Sequence, residues 1–397
     1  MLFSTLPKND SERAALARSR QLTDFSWTPV RDVPTYYKKE VTMMPEGIEI
    51  KGFPYASAEQ QDTFIAENIS FETFLSAVAN PYSKIYQPGR SALDACNYGI
   101  VCNGLVRYAF GIKERYSTAR WLTIPGMREI AKRGEYTVRD LKLLDVLYAF
   151  GEGRNHVALI TDILYDEEGI IRKIEVSESV RPSCKREAYD VDVFYEKYHL
   201  FGITRYDYID KLPPFDSTQN DILSAGIDKK RPRLAVDMGN KSNYREGDCV
   251  IFALYCISHD TVNIYRDDEL IERIPVNGSA IFERPLSPGF YTARLEENGD
   301  EVEFAVNRAD ISYEIKDGVL IVDAPPCDPR DRLIHSDFRR EKRYAPSTAA
   351  KLSTVIHLTD EERSSGHYER KIPEDALYFK VYYENAYGIW THSMITL

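Results

Sequence analysis

No stretch of this chain is apolar for long enough to cross a bilayer. The longest such run is about Cys249 to Ile257, against the roughly 20 residues a spanning helix needs, so no membrane span is expected. Basic residues are outnumbered, 51 Lys and Arg against 62 Asp and Glu, for a formal net charge of −11. Such a chain lacks the basic surface that replaces phosphate counterions, which excludes nucleic acid as a partner. Its local basic clusters, Lys229-Lys230-Arg231 and Arg339-Arg340-Glu341-Lys342-Arg343, read as solvated loops. Cysteine is sparse: six residues, none in a Cys-x-x-Cys pair, and with seven scattered histidines they exclude a structural zinc site and a dense disulfide framework. There is no Walker or dinucleotide glycine loop and no Gly-x-Ser-x-Gly elbow, so neither a cofactor nor a serine triad is expected. Met1 to Pro7 lacks a basic segment followed by a hydrophobic core, so no secretion signal is read there. The expected location is the cytoplasm or, if a leader has been removed, the cell envelope or exterior.

What is present begins with a hairpin. Asn155 to Ile163 reads as a strand, Asp166-Glu167-Glu168-Gly169 as a turn and Ile170 to Glu178 as the returning strand. Centred on Glu167, the pairing sets His156 opposite Glu178, Ala158 opposite Val176 and Ile160 opposite Ile174, all on one face. That face is apolar except at its open end, where an imidazole meets a carboxylate able to fix its tautomer and orientation. Glu175 competes as the acid, but period-two alternation places it with Lys173 and Ser177 on the opposite face.

Upstream, Val101, Leu105, Val106, Ala109 and Phe110 keep helical spacing, and Gly111 suits the residue just past the helix end. Cys102 opens this helix, where unpaired N–H groups and the positive end of the dipole favour thiolate. Alone, a cysteine at an apolar helical position is a small buried hydrophobe, and a lone histidine is structural. A base and an orienting acid on a neighbouring hairpin turn both readings toward nucleophilic catalysis.

These residues resemble the papain-like cysteine peptidases and amidases of the NlpC and CHAP groups. The elements fall in order: Gly52-Phe53-Pro54-Tyr55, Cys102-Asn103-Gly104-Leu105-Val106, Leu144-Asp145-Val146-Leu147, His156-Val157-Ala158-Leu159-Ile160 and Ile174-Glu175-Val176-Ser177-Glu178. The chain differs from the family pattern at Val101, Asn103 and Leu144, where the family has aspartate, serine and glycine. The resemblance implies an α+β fold with a Cys102, His156, Glu178 triad, and with Tyr55 and Asn103 beside the substrate. For Tyr55, a hydrogen bond near the thiolate and a place capping the core both remain open. The implied substrate is a peptide or the peptide part of bacterial cell wall (peptidoglycan), the implied activity amide hydrolysis.

At 397 residues the chain exceeds what one core supports, since cores stop growing near 250 to 300 residues. A helix from Asp10 to about Leu22 and an extended, proline-containing stretch make up 1–50, and a second helix spans Ser70 to Ala79. The papain-like domain occupies 51–212, closing with a strand from Phe201 to Ile209 and a linker at 211–217. Beyond it short alternating runs recur, with turns at Asp267-Asp268, Asn298-Gly299 and Lys316-Asp317-Gly318. They predict an immunoglobulin-like β-sandwich over 218–310 and a second sandwich-like domain over 311–397, the latter with a loop-rich stretch from Ala324 to Arg370. Tyr378, Tyr382, Tyr383, Tyr387 and Trp390 there serve either a core or a sugar-stacking platform. The β domains are therefore candidates for carbohydrate or protein contact. An inactive papain-like scaffold acting through them is the alternative to an enzyme.

Overall fold

The computed structural model describes residues 2–37, 40–55, 70–87, 98–113, 116, 118–151, 154–217, 233–255, 257–340, 353–392 and 394–397. The basic residues at 229–231 and 341–343 lie outside the described residues. Among the described residues no helix is long and apolar enough to cross a membrane.

The first unit is built on an antiparallel sheet. Its strands β1 (Met127–Ala131), β2 (Val146–Gly151), β3 (Arg154–Tyr165), β4 (Ile171–Ser179), β5 (Cys184–Asp190) and β6 (Gly202–Tyr206) lie in the order β5-β4-β3-β2-β6-β1. Helices cover both faces: α1 (Asp10–Thr23), α2 (Phe71–Ala79) and α3 (Cys102–Ala109) belong to one side, α4 (Val191–Tyr198) to the other. Asn9 caps α1 by accepting from Glu12 N–H, and Ser70 caps α2 by accepting from Thr73 N–H. Val157 and Leu159 of β3 join the core beneath α1 and α3, while Ala158, Ile160 and Ile163 join the core with Phe194 and Tyr198 of α4. With both faces buried, β3 reads as a continuous apolar run.

The hairpin register differs from the expected one. Ile160 pairs with Val176, Leu159 with Ser177 and Ile163 with Ile174, with two irregularities along the ladder. The turn closes one residue later because the Asp166 carboxylate accepts from both Glu168 N–H and Ile170 N–H. At the open end this slides the partners by two residues, an even shift that keeps His156 and Glu178 on one face.

A second unit follows. Strands β7 (Leu234–Val236), β9 (Cys249–Leu254) and β12 (Ala280–Pro285) form one sheet, in the order β7-β9-β12. The facing sheet, β8-β14-β13-β10-β11, consists of β8 (Ser242–Arg245), β10 (His259–Arg266), β11 (Glu269–Asn277), β13 (Gly289–Leu295) and β14 (Glu301–Asn307). Phe252 and Phe304 meet between them, ring centroids 5.9 Å apart. Asp267 and Asp268, at φ 50° and 67°, make the turn between β10 and β11, as a two-residue hairpin with right-handed strand twist requires. This unit is tied to the first by Tyr98 Oη donating to Met238 O (3.0 Å), Thr73 Oγ1 donating to Lys241 O (2.9 Å) and the Lys84–Asp237 ion pair (3.3 Å).

The third unit has two sheets. One is β15 (Ser312–Lys316), β16 (Val319–Asp323) and β19 (His367–Lys371); the other runs β18-β17-β20-β21, from β17 (Arg332–Arg339), β18 (Ser353–His357), β20 (Tyr378–Asn385) and β21 (Gly388–Thr391). Among its described residues, the expected loop-rich stretch from Ala324 to Arg370 thus contains three strands and the helix α5 (Asp360–Ser365). Strand β17 hides its periodicity because His335, Ser336, Asp337 and Arg339 are buried alongside Leu333 and Phe338. Tyr382, Tyr383 and Trp390 are buried, and Tyr383 stacks on Trp390 at 4.4 Å, so these three rings build the core, while Tyr378 and Tyr387 are half-buried.

The α+β class, a papain-like domain followed by two sandwiches, is therefore corrected: the chain is predominantly β, 45% strand against 18% helix, with several separate sheets. The described helices are short, at most 14 residues, so the strands of three successive units outweigh them.

Candidate active site

The site sits where three segments meet at the end of the first sheet. Gly52 allows the meeting. Its φ of +84° is left-handed, and a Cβ there would lie 1.9 Å from the Cys184 carbonyl oxygen, so no other residue fits without moving β5. The chain beyond it is stitched in both directions. Cys184 N–H donates to Phe53 O (2.7 Å), Tyr55 N–H to Pro182 O (2.8 Å) and Ile100 N–H to Pro54 O (2.9 Å). Ser179 Oγ donates to Ile100 O at 2.6 Å, fixing the end of β4 against the residues that lead into Cys102.

Cys102 is the first residue of α3. Its N-cap, Val101, is extended and has no side chain able to accept, so the opening N–H groups of the helix receive no side-chain cap. Thr118 Oγ1 lies 3.8 Å from Cys102 Sγ, and His156 is the neighbour that does most to lower the thiol's pKa. His156 Nε2 lies 2.8 Å from Glu178 Oε2, which leaves Nδ1 as the nitrogen for sulfur. The other carboxylate oxygen of Glu178 accepts from Lys197 Nζ at 2.6 Å and faces Lys185 Nζ at 3.6 Å.

These contacts polarise all three groups. Burial works to raise the Cys102 pKa, but its hydrogen bonds and the neighbouring imidazolium outweigh it and hold the thiol below its ordinary value. Burial likewise disfavours imidazolium, yet hydrogen bonds to Cys102 and Glu178 lift His156 to about 9. Glu178, buried but bonded to His156 and Lys197, is held at about 2. The three directions each favour the charged form: thiolate, imidazolium and carboxylate. Cys184 is the internal contrast. Also buried, with no imidazole beside it, it is pushed up to about 12.

The remaining sequence-derived candidates take these places. Glu175 accepts from Thr161 Oγ1 (3.0 Å) and pairs with Arg186 (2.9 Å), engaged away from His156. Asn103 is buried; its Nδ2 donates to Tyr116 O at 2.7 Å on the loop before Thr118, while its Oδ1 has no hydrogen-bond partner among the described residues. Tyr55 is joined to Ile100 by a parallel bridge, two residues from Cys102. Asp145 is fully buried in a two-pronged ion pair with Arg205 (2.6 and 2.8 Å), next to Leu144 at φ 66°. Cys96 lies outside the described residues. Lys197 and Thr118 were not anticipated. Lys197 had a signal, since Val191, Phe194, Tyr195 and Tyr198 keep helical spacing around it, whereas nothing local marks Thr118.

A cavity of about 400 Å³ opens on the Glu178 side of the imidazole, lined by Arg154, His156, Lys185, Lys197 and Phe201 among others; Cys102 is not in its wall. Cys102 itself is 8% exposed. Among the described residues no group of three or more His, Cys, Asp or Glu could hold a metal ion.

No known family matches the chain, and no curated protein matches it. Among solved structures, native alpha-2-macroglobulin domains NIE-MG1 from Escherichia coli are similar over 42% of this chain and 98% of theirs, at 9% identity and a TM-score of 0.17. The CD2-binding domain of CD58 is similar over 39% of this chain and 96% of its own, at 12% identity and a TM-score of 0.18. Likenesses at this level carry no argument. The resemblance to NlpC and CHAP papain-like enzymes is corrected: strand predominates, and no family model, theirs included, matches the chain. It rested on short motifs in a common order, none specific alone. The cell-wall substrate, which it alone supplied, goes with it.

Proposed function

We propose that the chain is a thiol-dependent hydrolase of a peptide amide bond. The observation that carries the reading is the convergence of Cys102, His156 and Glu178 from a helix start and two strands, with His156 Nε2 2.8 Å from Glu178 Oε2 and His156 lowering the pKa of the Cys102 thiol. The thiolate of Cys102 attacks the carbonyl carbon, forming a C–S bond while the carbonyl π pair moves to oxygen. The uncapped N–H groups at the start of α3 stabilise that oxyanion. Collapse breaks the C–N bond, and His156 gives its Nδ1 proton to the leaving amine. Water then attacks the thioester with His156 taking its proton, releasing a carboxylic acid and the thiolate. Glu178 holds the ring through Nε2 throughout.

The slight exposure of Cys102 favours a second reading, an inert scaffold in which the same contacts only pack. One experiment separates the two. The full chain is incubated with a defined peptide mixture in heavy-oxygen water, and the products are read by mass spectrometry. The enzyme reading expects new carboxyl termini carrying one heavy oxygen, absent with Cys102→Ala. No cleavage, or cleavage unchanged in Cys102→Ala, contradicts it.

A further inference from the structure

The cavity of about 400 Å³ beside His156 has Arg154, Lys185 and Lys197 in its wall against a single carboxylate, Glu178. Both oxygens of that carboxylate are engaged, Oε2 with His156 Nε2 and Oε1 with Lys197 Nζ. The cations keep donors to spare. Lys197 uses two of its three, on Glu178 and on Tyr189 Oη (2.7 Å), and its side chain is 35% exposed. Lys185 is held at 2.8 Å by Glu187, which lies outside the wall, and its side chain is 42% exposed. Arg154 is exposed, and its guanidinium has no hydrogen-bond or ion-pair partner among the described residues. Three cations against Glu178 and Glu187 leave one positive charge over, since the charge on His156 is matched by that on Cys102. One carboxylate balances it.

Strand β3 sets that charge at a defined distance from the chemistry. Arg154 and His156 lie two residues apart in a ladder that pairs Gly151 with Arg154 and Ala149 with His156 without irregularity, so they share a face at about 7 Å along the strand. The imidazole is both part of the cavity wall and the group that gives a proton to the leaving amine. The amine half of a substrate therefore starts at this ring, and a span of about 7 Å is two residues of extended chain.

We infer that the cavity is the subsite for the amine half of the substrate and selects an amine half that bears a carboxylate, held by Arg154 in front of Lys185 and Lys197. The assignment to the amine half rests on the hydrolase reading; the affinity for a carboxylate rests on the exposed cations alone. The acid can be a free C-terminus or an acidic side chain, and a basic residue in the same place meets like charge.

The probes are N-acetylated tetrapeptides of mixed neutral sequence in three versions: a C-terminal free acid, a C-terminal amide, and an amide with glutamate as last residue. Depletion of each version in a competing mixture, read by mass spectrometry, compares kcat/KM on the full chain; equilibrium dialysis against full-chain Cys102→Ala compares binding without turnover. At least one acid-bearing version is expected to be cleaved and bound at least tenfold better than the plain amide, and which one it is separates a terminal from a side-chain carboxylate. Arg154→Met should bring the acid-to-amide ratio near one, and Arg154→Lys should restore part of it. Acid-selective binding with no cleavage of any version would sink the hydrolase reading while upholding the carboxylate site. Acid and amide versions bound alike, or a preference that survives in Arg154→Met, overturns the inference.

Discussion

Replacing His156 with alanine is expected to slow the reaction of Cys102 with a peptide amide by about 10²- to 10⁴-fold, the usual worth of a positioned acid–base group. It should also move the pH profile. In the wild type, thiolate exists below the ordinary thiol range because imidazolium offsets burial, so the acid limb lies at the lowered Cys102 pKa. The alkaline limb lies near 9, where His156 loses the proton owed to the leaving amine. Without the ring, burial is the dominant influence left on the sulfur, and it pushes the thiol upward. The variant should then react only at alkaline pH, with the limb near 9 gone. Rates measured from pH 5 to 10 on both proteins check this; parallel profiles would mean that His156 does not set the state of the thiol.

Arg205→Met is expected to cost about 3–5 kcal/mol of stability, the usual loss when one partner of a buried ion pair is removed. Asp145 has no exposed side-chain surface, and Arg205 supplies two of its hydrogen bonds; the third comes from Lys142 N–H at 2.8 Å. Burial already raises the Asp145 pKa against these contacts. Stripping the guanidinium leaves a charge that water cannot reach. Denaturant unfolding measures the loss, and Asp145→Asn in the Arg205→Met background should recover part of it, since a neutral amide tolerates the same burial better. An Arg205→Met protein as stable as the wild type would show that the pair is not closed in solution.

Much of the candidate site was legible because its geometry follows from period. The alternation of β3 and β4 was enough to put His156 and Glu178 on one face, and it survived an error in the turn centre because that error shifted the register by two. The helix opened by Cys102 was legible from Leu105, Val106 and Ala109. What the sequence hid was of two kinds. Strand β17 mixes buried charge with apolar residues, so no period of two emerges over Arg332–Arg339. Thr118 reaches the thiol from a distant segment by tertiary packing alone, and no local pattern encodes that. The wider architecture was hidden for a third reason: motifs of four or five residues fix local structure but not how the sheets between them are arranged.

The central claim is that Cys102 and Cys184, both buried, differ in reactivity because only one has an imidazole partner. Limited iodoacetamide at pH 7, followed by peptide mass spectrometry, tests it within a single protein. Cys102 should be modified while Cys184 stays silent, and His156→Ala should silence Cys102 as well. Equal resistance of both thiols in the wild type, or labelling of Cys102 that survives loss of His156, would contradict the account.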